Sequence, residues 1–284
     1  MNTLKKWCIA IVLSFSANIA VAQQDSIIIA GYIKNLDNNS VSFSIQKEVY
    51  KGYAQNGVFK IAIPKQNVPC LVRSNISIKN PNNSTETKSS QVPLPQLEFF
   101  VYKNNLEIKG NTKEYRYSSV TGDAENNAFT ILRNNTKADE LIKLNTLKEF
   151  TARQLTKEES NNLQKTGLEA GKRITEQQRK FIKENPNLFA SIFLLGRMQN
   201  FYTAENYTNA WNGLSPKYKN HPLAKPIQDY VNKMKVTLAG TLATSFERKD
   251  KDGKIIRLAD YKGKTVLLDF GEAGAAHVEQ VIHI

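Results

Sequence analysis

The spacing of apolar residues changes twice along the chain. From Gln23 to about Val120 they alternate, or come in short runs bounded by turn residues. Ile27 to Ile33 reads as a strand. Asp37 to Ser40 is a turn, and Val41-Ser-Phe-Ser-Ile45 has the period of two expected of a half-buried strand. Asn56-Gly57 is a tight-turn pair before the strand Val58 to Ile63. Leu97 to Tyr102 and Leu106 to Lys109 flank the Asn104-Asn105 turn, and Asn80 to Pro95 is polar loop. This pattern predicts a β domain over residues 23–120.

From 121 to 237 the period becomes helical. Asp123 is placed to cap a helix from Ala124 to Leu132, and Leu141, Leu144 and Leu147 recur at helical spacing. Gln154 to Ile182 is long and mostly polar, with a thin stripe through Leu155, Leu163, Leu168, Ile174, Phe181 and Ile182, as in a helix that docks on one side. Asn185-Pro186 predicts a cap followed by proline at the first helical position. The helix expected there, through Leu188, Phe189, Ile192, Phe193 and Leu195, is the most apolar part of the layer. Tyr207 to Trp211 and Leu223 to Val231 are further helices, punctuated by Pro216 and Pro222.

After about residue 238 short β patterns return. Phe246 to Arg248 and Ile255 to Leu258 are two strands around the turn Asp250 to Gly253, where glycine takes a positive φ at little cost. Tyr261-Lys-Gly-Lys is a second turn. Thr265 to Phe270 is apolar and reads as an inner strand of a parallel sheet.

The residues Gly240, Ala243, Phe246, Asp250-Lys-Asp-Gly-Lys254, Leu258, Asp260-Tyr-Lys-Gly-Lys264 and Val266-Leu-Leu-Asp-Phe270 carry a resemblance. They are similar to the entry of the thioredoxin-like domain in bacterial envelope thiol-disulfide oxidoreductases of the TlpA/AhpC-TSA type. Thr244 departs from that pattern, where the family has proline. The order of strands before residue 120 resembles a β domain of unknown function that precedes this domain, with Asn56-Gly-Val-Phe59, Phe99-Phe-Val101, Leu106-Glu-Ile108 and Val120-Thr-Gly122 fitting. The Asn185-Pro186 segment with Phe189-Ala-Ser191 resembles the family's helical insert.

The resemblance implies thiol-disulfide exchange by a Cys-x-x-Cys pair just after Phe270. The chain instead reads Gly-Glu-Ala-Gly-Ala-Ala-His-Val-Glu from Gly271. Placing one T before the codons of Gly271 to Glu279 lets the shifted frame spell Trp-Gly-Ser-Trp-Cys-Gly-Pro-Cys-Arg. The expectation is a frameshift at this junction, with 238–270 the start of a truncated thioredoxin-like domain and 271–284 an out-of-frame tail. An apolar strand left without partners predicts disorder or opportunistic docking after about Leu238.

Composition refines this picture. Of 284 residues, 40% are hydrophobic and 23% charged, the balance of an ordinary folded chain. Residues 1–22 read as a secretory signal: Lys5 and Lys6, an apolar stretch, then Ala20-Val-Ala22. This points to the periplasm or cell envelope, with no integral membrane span after removal of the signal. Of two cysteines, Cys8 lies in that segment and Cys70 remains. A lone cysteine cannot run a dithiol cycle. Its apolar run, Val68 to Val72, predicts a buried structural thiol; a mixed-disulfide or metal-binding thiol is the other reading.

Net charge is +13. Basic residues are spread among acids and no aromatics interleave with a basic stripe, so nucleic acid is not an expected partner. His221, His277 and His283 are the histidines, and they form no catalytic or zinc motif. Asp139-Glu140 and Glu158-Glu159 read as solvated helix surface. No catalytic, cofactor-binding or metal residue is assigned, and no cofactor. The fold class is α+β: an antiparallel β domain, a helical middle layer and the first strands of a thioredoxin-like domain. Two functions fit: a truncated, inactive member of the oxidoreductase family, or a non-enzymatic envelope module whose β domain and helices bind a ligand or an envelope protein. A basic surface-adhering protein is a third class.

Overall fold

The computed structural model describes residues 26–77, 96–235, 240–250 and 252–267, so the stretches read above as a secretory signal (1–22), a polar loop (80–95) and an out-of-frame tail (271–284) lie outside the described residues. The class is α+β, with β-sheets followed by helices. The described chain divides into two units, one ending at Val231 and one beginning at Asn232.

The first unit begins with eight strands: β1 (Ser26–Lys34), β2 (Ser40–Ile45), β3 (Glu48–Tyr53), β4 (Val58–Pro64), β5 (Cys70–Ile76), β6 (Leu97–Val101), β7 (Leu106–Asn111) and β8 (Ser119–Thr121). They form two four-stranded sheets, in the orders β4-β1-β7-β8 and β3-β2-β5-β6. All pairs are antiparallel except β1 with β7, which run parallel from Ile29 opposite Leu106. The second sheet lies in sequence between these two strands and supplies the long crossover that a parallel pair needs. Inward residues of both sheets, among them Ile29, Phe43, Val72, Phe99 and Ile108, form one core. Phe43 meets the Phe99 ring edge-on at 5.7 Å.

The Asn56-Gly57 turn forms with positive φ at both residues (51° and 81°) between bridge partners Gln55 and Val58. That is the two-residue geometry whose twist suits a hairpin. Gly31 is required for another reason: a Cβ there would stand 2.5 Å from the Ile108 carbonyl.

Strand β3 escapes the pattern in the sequence. It is an edge strand with exposed Val49 and Tyr53, so no alternation marks it.

Five helices follow: α1 (Ala124–Ala152), α2 (Lys157–Glu184), α3 (Phe189–Arg197), α4 (Ala204–Gly213) and α5 (Ala224–Lys235). Asp123 caps α1, its side chain accepting from the Asn126 amide. The helix expected from Ala124 to Leu132 and the helical spacing of Leu141, Leu144 and Leu147 belong to one helix that reaches Ala152, because no Gly or Pro interrupts it. A capping box of Thr156 and Glu159 starts α2.

The predicted proline start of α3 is corrected. Asn185 ends α2, Pro186 lies in the turn, and α3 starts at Phe189 behind Leu188. Its free N-terminal donors are met from elsewhere: the Glu125 carboxylate accepts from the Phe189 amide at 3.0 Å and from the Ala190 amide. Burial pushes the Glu125 carboxyl up, against these two hydrogen bonds.

The helices cover the outer face of the second sheet. Phe100 of β6 leaves the sheet core and enters the helical core, with ring centroids 4.9 Å from Phe129, 5.4 Å from Phe189 and 5.3 Å from Phe193. The unit is therefore layered sheet on sheet on helices. No helix among the described residues is long and apolar enough to cross a membrane.

The second unit contains a hairpin, β9 (Glu247–Lys249) with β10 (Ile255–Arg257), then a 3-10 turn at Leu258–Tyr261. This corrects the expectation of disorder for those residues. The Asp250 carboxylate accepts from the amides of Asp252 and Lys254 at 3.0 and 2.8 Å. Gly253 has φ of 81°. The inner strand expected from Thr265 is corrected over its described part. Thr265 to Leu267 carries no strand pairing, and Leu267 is 93% exposed. No strand among the described residues pairs with it. Leu268 to Phe270 lies outside the described residues.

Candidate functional site

Helix α1 stitches the two sheets together through polar residues. Asn126, Thr130, Arg133, Lys137 and Glu140 follow one another at spacings of four, three, four and three, so they share one face. β6 and β8 are edge strands, and their outward backbone groups need partners. Asn126 supplies them for β6: its side-chain oxygen accepts from the Phe100 amide at 2.9 Å and its amide donates to the Phe100 carbonyl at 2.8 Å. Thr130 does the same for β8, accepting from the Val120 amide at 3.0 Å and donating to its carbonyl at 2.9 Å.

Arg133 comes next on this face and is 9% exposed. It donates to the carbonyls of Glu98 and Ser118 and to the Thr130 hydroxyl. Its guanidinium carbon lies 5.5 Å from the centre of the Phe129 ring. Among the described residues no carboxylate bonds it, and its buried Nε has no hydrogen-bond partner. Burial lowers its pKa to about 10, with Glu140 and Glu98 opposing at a distance. It therefore stays charged at neutral pH, and a buried cation without a bonded anion is costly.

Arg133 forms part of the wall of a cleft of about 1020 Å³ between α1, α2, α3 and the end of the second sheet. Along α1 the cleft runs from Phe129 to Lys143, fourteen residue steps or about 21 Å at helical rise. Phe129, Leu132, Ile174, Phe193, Leu194 and Met198 give it apolar walls. Six cationic side chains line it against three carboxylates, so its charge is positive. Two of those carboxylates are engaged: Glu98 with Arg197 at 2.9 Å and Arg73 at 3.2 Å, and Glu140 with Arg116 at 3.2 Å. Lys143 and Lys172 have no ion-pair partner among the described residues. The cleft lies at the upper end of small-ligand pocket sizes.

The solvated-surface reading of the carboxylate pairs is corrected in part. Asp139 joins Arg173 of α2 at 2.7 Å, with its side chain 17% exposed, and Glu140 accepts from the Tyr117 hydroxyl at 3.2 Å. Burial and this carboxylate push Tyr117 up to about 12. Glu159 works in the α2 cap and with Arg153. Heptad-like polar spacing on α1 was the signal in the sequence for this site; a search for catalytic motifs passes over it, because its partners are backbone groups.

Cys70 is 7% exposed, free, and pushed up by burial; its thiol donates to the Val68 carbonyl at 3.3 Å and accepts from Gln46. A thiol so placed is a poor nucleophile. His221 is also structural. Its Nδ1 accepts from the Leu223 amide at 3.1 Å, which leaves the Nε2 proton for the Pro69 carbonyl at 3.1 Å. Burial lowers its pKa. His277 and His283 lie outside the described residues. Among the described residues no group of three His, Cys, Asp or Glu side chains is placed to hold a metal.

Comparison with known protein families, curated proteins and solved structures finds no match.

Proposed function

We propose that the layered unit ending at Val231 is a non-enzymatic binding module whose cleft takes an anionic ligand, and that it works in the cell envelope ahead of a thioredoxin-like domain. The observation that carries this reading is the excess of cations in the cleft, six against three carboxylates, with Lys143 and Lys172 lacking an ion-pair partner among the described residues. The envelope placement rests on the pattern of Lys5 to Ala22, and the neighbouring domain on the motif residues from Gly240 onward. The chain as it stands performs no dithiol exchange, because Cys70 is the one cysteine beyond that leader and its thiol is buried.

A fluorescence titration of the whole chain with anilinonaphthalene sulfonate, an apolar anion, tests the binding reading. Saturable binding that weakens with salt and in Lys172→Glu is expected. Non-saturable binding, or binding indifferent to both, overturns it. In an insulin-reduction assay the chain is expected to match its Cys70→Ser variant; turnover above that variant refutes the non-redox reading.

A further inference from the structure

We infer that the ligand of this cleft is a free single-chain amphiphile, a long-chain carboxylate, held head outward between Lys143 and Lys172 with its chain running along α1 toward Phe193. The inference rests on the anionic-ligand reading above and names the class of ligand.

Three features select this chemistry. The first is shape: the cleft follows α1 for about 21 Å, so it suits a chain rather than a compact polyanion. The second is the order of side chains along it. Lys143 is at one end of the α1 wall and Phe129 at the other, with Leu132 between them. Phe193, Leu194 and Met198 come from α3 and the residue after it. Arg133, Thr136 and Glu140 also stand on the α1 wall between Leu132 and Lys143, and the Arg197–Glu98 pair lies beside Phe193, so the apolar wall is contributed by Phe129, Leu132, Phe193, Leu194 and Met198 between bonded polar groups.

The third is the mouth. Gly171 has no side chain, and a Cβ there would lie 3.9 Å from both the Nζ and Cδ of Lys143. The Lys143 stem therefore lies against α2 at Gly171, the residue before Lys172, which also lines the cleft. Lys143 and Lys172, from different helices, both line the cleft, and neither has an ion-pair partner among the described residues. Nearby Arg173 is held by Asp139 and Arg197 by Glu98, so those cations are already engaged. Arg133 adds a fixed positive field from the wall, although its Nε is too deeply buried for direct contact. Leu168, 59% exposed at this end of α2, offers apolar surface beside the mouth.

The experiment is calorimetric titration of the whole chain with sodium laurate below its micelle concentration. Control arms use butyrate, octanoate, dodecanol, dodecyltrimethylammonium and anionic phospholipid vesicles. One laurate per chain is expected, with affinity rising from butyrate to laurate by up to about fourfold per methylene. The double variant Lys143→Glu with Lys172→Glu is expected to weaken laurate at least tenfold while leaving the melting temperature unchanged. Gly171→Leu is expected to weaken it as well, by displacing the Lys143 stem.

Equal binding of laurate, dodecanol and the dodecyl cation overturns the inference, as does affinity independent of chain length. Binding of the vesicles without binding of monomeric laurate overturns it in favour of a membrane surface. If anilinonaphthalene sulfonate binds with the salt and Lys172 dependence given above but laurate does not, the anion-binding reading survives and the amphiphile is wrong. If neither binds, both fall.

Discussion

The two units hold their strands by different means. In the layered unit, strands are fixed by burial: Ile29, Phe43, Phe99 and Ile108 are almost wholly removed from water, and Phe100 ties the second sheet to the helices. In the C-terminal unit none of the described apolar residues is buried, with Leu242 95% exposed and Leu267 93%. Its hairpin depends instead on local chemistry: the Asp250 carboxylate on two amides, Gly253 at positive φ, and Arg257 bridging to Glu247 at 2.7 Å. An isolated two-stranded hairpin is marginal in water. Turn residues thus suffice to shape a strand pair, whereas a shared core is needed to make one robust.

Substitutions in the two units should therefore have effects of different reach. The largest belongs to Phe100→Ala, which empties the centre of three ring contacts. It is expected to cost about 4 kcal/mol in urea unfolding of the layered unit, while the amide shifts of the hairpin stay in place. Concerted loss of both would contradict the division. Next comes Asn126→Ala, which strands the Phe100 amide and carbonyl at the β6 edge. About 2 kcal/mol is expected, with the largest changes in hydrogen exchange at Phe100 and not at α4. Gly253→Ala places a Cβ in a left-handed conformation at a cost of about 1 kcal/mol. It is expected to depopulate the hairpin in nuclear Overhauser spectra without moving the urea midpoint of the layered unit.

The smallest effect is a pH dependence. His221 has a folded pKa below its ordinary 6.5, so below that pH the unfolded chain takes up the proton first and stability falls. Its contribution is complete above pH 6.5 and declines as pH drops from there toward the folded pKa. His221→Gln is expected to flatten the denaturation midpoint over that range; an unchanged slope rules the contribution out.

The contrast also explains what could be read in the sequence. Val41 to Ile45, the Asn56-Gly57 turn, the hairpin turn at Gly253 and the turn at Gly263 have local signatures, and each formed where those signatures placed it. Leu141, Leu144 and Leu147 showed helical spacing, but their continuity with the helix before Leu132 was harder to read, because those leucines are exposed and mark no buried face. The start of α3 was obscured because its cap, Glu125, comes from a remote part of the chain. The parallel pairing of β1 with β7 has no local mark, since both strands read alike whichever neighbour they take. The cleft was least legible. Its parts are single polar residues whose meaning depends on the edge strands opposite them, although the spacing from Asn126 to Glu140 was present throughout.

The central claim is that ligand recognition belongs to the cleft of the layered unit and not to the exposed apolar residues farther on. Amide spectra of the uniformly labelled whole chain, recorded with increasing anilinonaphthalene sulfonate, test it directly. Shifts are expected to gather at Arg133, Thr136, Gly171 and Leu194, around the cleft. Shifts gathered instead at Leu242 and Leu267, or spread evenly over the chain, would contradict the account.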